Sequence, residues 1–264
     1  MASRGRKDRA TAAPTATASV AEALAQLVIG EMSPGASLPS ESDLAARFEV
    51  SRLTVREAIK MLAGRGLLDV GRGRRAIVRE PTAVGFSDFL SAMIRNDPKA
   101  LFDLIEFRMS LEVQSASLAA RRASRAGITA LEMAVEGMRE ASAEGKAGLD
   151  VAESERRFHA SDLGFHEAIA LSSGNRLISF LFEAMAAPLE QSFMLSRRGH
   201  DMRGLTVDDT IDEHVQIFTA IRDGNTKAAG TAMREHLQRT EHDIRAALNT
   251  APNPPIVWPS GEEP

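Results

Sequence analysis

The sequence predicts a mainly α-helical protein of two domains, the first carrying one small β-hairpin and the second a bundle of helices. Three observations lead there. Apolar residues recur at helical spacing from about residue 86 almost to the end, with no strand pattern between them. A glycine turn at residues 71–74 lies between two short apolar runs. A chain of 264 residues is long enough for two ordinary cores.

The chain has no cysteine, which removes disulfide frameworks, zinc-thiolate fingers and thiol catalysis together and suits a reducing compartment. No stretch approaches the roughly 20 apolar residues of a membrane span, and the N-terminus lacks the apolar core of a secretory signal. A soluble cytoplasmic protein is expected. The net charge of −4 divides unevenly: residues 1–80 carry 13 Lys/Arg against 9 Asp/Glu, or +4, leaving −8 for the rest. That local basic excess suits a polyanionic partner.

In chain order, residues 1–18 are basic and then Ala/Thr/Pro-rich, and read as a disordered arm before a domain at 19–79. A helix is expected from Val20 to Ile29, ended by Gly30 and the turn Ser33-Pro34-Gly35. Ser40 can cap a second helix running to about Phe48, and Ser51 a third reaching Ala63 through Val55, Ile59 and Leu62. Leu67–Val70 and Arg75–Val78 then read as strands joined by Gly71-Arg72-Gly73-Arg74. Two helices joined by a tight turn and followed by a hairpin make a winged helix-turn-helix. A linker at 80–85 leads to an all-helical domain at 86–249, with helices near 86–95, 100–123, 127–144, 152–172, 175–197, 207–223 and 226–248. Gly127, Gly145, Gly148, Gly174, Gly199, Gly204 and Gly224 punctuate them. The proline-rich residues 250–264 are expected to form a mobile tail.

The third helix starts with Ser51, Arg52, Thr54 and Arg56. The two arginines lie on one face, opposite the apolar residues, and arginine can pair with two guanine acceptors in the major groove of duplex DNA. The wing adds Arg72, Arg74 and Arg75 around Gly73, where a glycine lets the backbone approach the duplex.

Residues 38–78 (LPSESDLAARFEVSRLTVREAIKMLAGRGLLDVGRGRRAIV) resemble the DNA-binding domain of the GntR family of bacterial regulators. The resemblance implies that Arg52, Thr54 and Arg56 contact bases or phosphates, with Ser51 and Gly73 at the DNA backbone, and the wing's Arg72 and Arg74 join them as candidate DNA contacts. It leaves Arg47 and Lys60 with phosphate contacts or none. The helical half is similar to the ligand-binding (FCD) domain of the FadR-type branch, through DLIEFRMSLE at 103–112, DLGFHEAIALSSGN at 162–175 and EHVQIFTAIRDGNTKAAGTAMREHL at 213–237.

Asp162 and His166, four apart, share a stripe with Phe158 and Ile169, while His214 and His236 sit on apolar stripes of the last two helices. Each alone reads as an ordinary hydrogen-bonded core residue. Together, a carboxylate and three imidazoles in one core are satisfied at once by a divalent metal. Metal-binding members of the branch place Asp, His, His and His at these positions, so the resemblance implies the same ligand set. Zinc is the default, with nickel, manganese or cobalt for a six-coordinate site. His159, His200 and His242 match no ligand position.

Arg108 falls on a buried stripe and needs an anion, either Glu112 one turn on or the carboxylate of a small effector held jointly with the metal. Asn175 is placed in the same cavity. The expected protein is a homodimeric regulator, usually a repressor in this family, acting on palindromic double-stranded operator DNA. A pure metal sensor and a metal-dependent hydrolase using Glu167 or Glu213 as base are the rival readings.

Overall fold

A computed structural model describes residues 15–80, 82–96 and 99–249. The chain divides into two compact units between Thr82 and Ala83.

The first unit holds α1 (Ala16–Glu31), α2 (Glu41–Arg47), α3 (Arg52–Gly64) and the strands β1 (Leu68–Asp69) and β2 (Ile77–Val78). The strands pair antiparallel with Leu68 opposite Val78 and Asp69 opposite Ile77. Helix starts follow capping chemistry. Ser51 Oγ accepts the Thr54 amide at 3.1 Å, and Ser40 with Asp43 forms a reciprocal capping box. Leu24, Leu38, Leu44, Val55, Leu62 and Leu68 close the core. The turn between α2 and α3 passes through Glu49, a non-glycine residue at φ +54°.

Two expectations are corrected here. Helix α1 begins inside the expected arm, because Thr15 caps it by accepting the Ala18 amide and starts the helix four residues before Val20. Gly30 does not end α1, which stops at the extended Met32 leading into Ser33-Pro34. The remainder of the expected arm and the tail at 250–264 lie outside the described residues.

The second unit contains α4 (Val84–Asn96), α5 (Ala100–Arg122), α6 (Arg125–Lys146), α7 (Val151–Ser172), α8 (Arg176–Met202), α9 (Val207–Arg222) and α10 (Thr226–Asn249). The expected linker at 80–85 is shorter, since α4 already includes Val84 and Gly85. Helix α10 packs against α5, α8 and α9, while α6 lies along α7 and α4 along α8. One core gathers Leu131, Met138, Phe165, Ile217, Met233 and Leu237; a second joins Leu101, Leu104, Phe182, Met185 and Leu189.

Gly199 is not punctuation. It lies within α8, where a Cβ would fall 1.7 Å from the Asp243 carbonyl oxygen, so its missing side chain is what lets α8 and α10 touch backbone to backbone. The helix ends instead before Gly204, at φ +73°.

Candidate metal centre and nucleic-acid interface

In the first unit α3 buries Val55, Ile59 and Leu62 and turns Arg52 and Arg56 outward. The Ser51 and Thr54 hydroxyls lie 2.8 Å apart at the helix start, where unpaired backbone N–H groups favour an anion such as a phosphate. Arg56 is held by Glu41 of α2, with its Nε 3.1 Å and its Nη2 2.7 Å from the carboxylate oxygens. The hydrogen bonds from Arg56 keep the Glu41 carboxyl below its usual range. The sequence reading missed Glu41, which is 15 residues from Arg56 and meets it only once α2 and α3 pack. In the wing Arg72 and Gly73 are exposed, with Gly73 at φ +74°, and Arg74 pairs with Asp69 at 2.6 Å. Lys60 pairs with Glu57 at 2.9 Å on the same exposed surface.

In the second unit Asp162 and His166 of α7, His214 of α9 and His236 of α10 come together, all of them buried. One ring nitrogen from each histidine lies within 4.8 Å of the other two. Asp162 Oδ1 is 2.6 Å from His214 Nε2 and 4.0 Å from His166 Nε2.

The opposite ring nitrogens are each tied to an acceptor. His166 Nδ1 donates to Glu112 Oε2 at 2.5 Å, His214 Nδ1 to the Thr210 carbonyl at 2.8 Å, and His236 Nδ1 to Glu213 Oε2 at 2.8 Å. An acceptor on Nδ1 sets the tautomer that leaves Nε2 with a free lone pair. His166 Nε2 and His214 Nε2 are buried and donate to no acceptor, although Asp162 Oδ1 comes within 2.6 Å of His214 Nε2. Buried nitrogens left unpaired are costly, and a cation among them relieves that cost.

The electrostatics follow from this packing. Burial pushes the Asp162 carboxyl up, but His214, His166 and His236 outweigh it and hold the group well below the usual carboxylate range. Burial likewise works against Glu112, and Arg108 and His166 prevail to bring it to about 2. His236 is pushed well down by burial and by the neighbouring His214 and His166. Burial lowers His214, yet Asp162 raises it further, so its net shift is upward. Glu213 is pushed up to about 7, chiefly by burial.

Arg108 is 1% exposed, and of the two partners read for it from the sequence the structure holds Glu112. Its Nε donates to Glu112 Oε1 at 2.6 Å, while Nη2 is buried with no hydrogen-bond partner. Arg108 lines a cavity of about 50 Å³ together with Asp162, Thr210, Glu213 and His236. Asn175 is not part of this cavity. Its Oδ1 accepts the Leu177 and Ile178 amides at 3.0 and 3.4 Å and caps α8, which corrects its assignment as an effector ligand. Glu167 is exposed on the outer side of α7 and is no base for this site.

The functional residues that the sequence reading overlooked are the anchors. Glu213 directly precedes His214 on α9 and so projects about 100° away from it, and that turn carries it to His236. Thr210 acts through its backbone carbonyl, which no side-chain pattern discloses.

A winged helix-turn-helix with arginines on its outer helix face, followed by a helical unit with a buried polar cavity, defines a DNA-binding regulator with a sensing domain. Residues 16–78 match the gntR family of bacterial regulatory proteins, and residues 103–239 match the FCD domain. The HTH-type transcriptional regulator LutR of Bacillus subtilis is 30% identical over 213 residues, covering 80% of this chain and 93% of LutR. The Glc operon transcriptional activator of Escherichia coli K12 is 29% identical, covering 85% and 88%. A solved structure of Streptococcus agalactiae GntR superposes with a TM-score of 0.60 at 27% identity, over 84% of this chain and 97% of that one.

The chain belongs to the gntR family of bacterial regulatory proteins, in its FadR-type branch with an FCD domain. It is a DNA-binding transcriptional regulator and not an enzyme. Among the described residues no helix is long and apolar enough to cross a membrane.

Proposed function

We propose that this regulator binds operator DNA as a homodimer and is controlled by a small carboxylate held in the helical domain beside a divalent metal ion. Asp162, His166, His214 and His236 would hold the ion. The observation that carries the reading is the three-fold anchoring of histidine Nδ1 atoms, which leaves the Nε2 lone pairs free in a buried cluster where one nitrogen of each ring lies within 4.8 Å of the others. One carboxylate and three imidazole nitrogens suit zinc, and nickel, manganese or cobalt where coordination positions stay open. A bound ion supplies a concentrated positive charge that a carboxylate oxygen can ligate.

Arg108 lines the same cavity, and its buried, unpaired Nη2 would offer the second contact for that carboxylate. A metal alone would leave that one nitrogen buried and unpaired, which favours effector control over pure metal sensing. The effector changes operator affinity only by preferring one dimer geometry over another. Release from DNA, and hence repression relieved by the effector, is the proposed direction.

Elemental analysis of the purified protein, paired with a thermal-shift screen of carboxylic acids with and without chelator, tests the reading. Near-stoichiometric metal and an acid that stabilises only the metal-loaded protein are expected. Absence of metal, together with an indifferent screen, would return the four residues to the role of a polar core. In vitro transcription with the stabilising acid then reads the direction of control.

A further inference from the structure

Next to the cavity that holds Arg108 lies a second, larger and more open one of about 370 Å³, lined by α6, α7, the end of α8 and the α8–α9 turn. The two share Phe158, His159 and Arg197 as a common wall. We propose that they form one bipartite effector site, the inner chamber taking the carboxylate head and the outer chamber an apolar tail. The effector would then be a monocarboxylate with a medium-length alkyl or arylalkyl chain, not a two- or three-carbon acid. This rests on the carboxylate reading above and extends it to the rest of the molecule.

Size argues first. A single water needs roughly 10–15 Å³ of such space, so the inner chamber, at about 50 Å³, holds about three to five water-sized groups, a carboxylate with the first carbons of its chain. The outer chamber falls in the range of small-molecule pockets.

Chemistry argues second. Ala141, Val151, Leu205 and Val207 line the outer chamber, and its two cations are already paired, Lys146 with Asp208 at 2.6 Å and Arg197 with Asp201 at 3.3 Å. A second carboxylate on the ligand would have to displace one of those aspartates, whereas an apolar chain finds a matching wall.

The dividing wall has one part that moves cheaply. His159 is stacked on Phe193, with ring centroids 5.5 Å apart and planes at 18°. Arg197 is partly exposed, and its ion pair with Asp201 is a surface pair of the kind that contributes little. Swinging Arg197 aside joins the chambers without disturbing the core.

The test uses full-length, zinc-loaded protein and calorimetric titration with butyrate, hexanoate, octanoate and 3-phenylpropionate. Affinity is expected to rise up to about fourfold for each methylene buried. Gly145→Leu, which points a side chain into the outer chamber, should remove that gain and leave butyrate binding unchanged. Val151→Trp, at an exposed position on the chamber's edge, provides the same test should Gly145→Leu fold poorly. Butyrate binding with no gain for longer acids, or a gain that survives both variants, overturns the bipartite site and spares the carboxylate reading. Failure of every acid to bind overturns both.

Discussion

Glu112 Oε2 lies 2.5 Å from Nδ1 of His166, joining the middle of α5 to α7 through two side chains that are almost wholly buried. The other oxygen of the same carboxylate accepts Arg108 Nε at 2.6 Å. One anion therefore compensates a buried guanidinium and orients the His166 imidazole. With its pKa depressed to about 2, Glu112 contributes stability that is present above its unfolded value of 4.5 and is lost as pH falls from there towards 2. Glu112→Gln removes this charge and leaves Arg108 uncompensated, at an expected cost of about 3–5 kcal/mol near neutral pH. Denaturant unfolding of both proteins from pH 7 down to pH 3 should show the gap narrowing below about pH 4.5; a constant gap would deny Glu112 that role.

Metal removal should depend on pH in a direction set by His214. Asp162 raises the pKa of this histidine despite its burial. In metal-free protein its contribution is therefore fully present below the unfolded value near 6.5 and is lost as pH rises through the folded value. A metal requires the neutral ring, so protons compete with it. The drop in Tm on adding chelator is thus expected to grow from pH 6 to pH 8. His214→Ala should show no chelator effect at either pH, and a chelator response persisting in that variant would locate the metal elsewhere.

At the nucleic-acid interface Arg52 and Arg56 share a face and differ in their surroundings, since Glu41 grips Arg56 bidentately. Arg52→Ala should cost about 1–3 kcal/mol per half-site and relax specificity at one base pair, as expected for a groove contact. Glu41→Gln keeps the helix start but frees Arg56 and removes an anion from the surface. Non-specific duplex binding should tighten as operator discrimination falls. Fluorescence anisotropy with operator and scrambled duplexes at two salt concentrations separates these effects; unchanged operator affinity for Arg52→Ala would remove that residue from the contact set.

Much of this architecture was legible because its signals are local. Ser40 and Ser51 announce helix starts, and Asp162 and His166 at a four-residue spacing have to share a face. The convergence of His214 and His236 on that face rested on resemblance to relatives, because periodicity says which side of a helix is buried and not which helix lies opposite. Asn175 shows the cost of that gap: a polar residue in a family-like stretch was assigned to the cavity when its role is the local one of capping α8. Glu41, Glu112 and Glu213 became functional only through partners 15, 54 and 23 residues away.

Gly199 is the sharpest case, since glycine within a helical pattern reads as a break and here permits a close crossing. Alanine is favoured over glycine inside a helix by about 1 kcal/mol, so sequence reasoning alone expects Gly199→Ala to stabilise α8. Against that, the new methyl would sit 1.7 Å from the Asp243 carbonyl oxygen and 2.9 Å from its Cα. Those are backbone atoms of α10, so no rotamer change relieves the clash and the two helices have to separate. Overpacking of this kind costs about 1–3 kcal/mol, and separation also strains the Asp243 contacts to His200 at 3.1 Å and to Arg203 at 2.5 Å. The unfavourable effect should win, giving a net destabilisation of about 1–2 kcal/mol. Because His236 lies on the same α10, metal affinity should fall as well. Gly230→Ala is the control: it too lies in α10, but its new methyl would meet the Ser117 hydroxyl at 2.5 Å, a side chain that can rotate away, and it should be tolerated better. Equal stability of the two variants in urea titrations would mean that the α8–α10 crossing yields without cost.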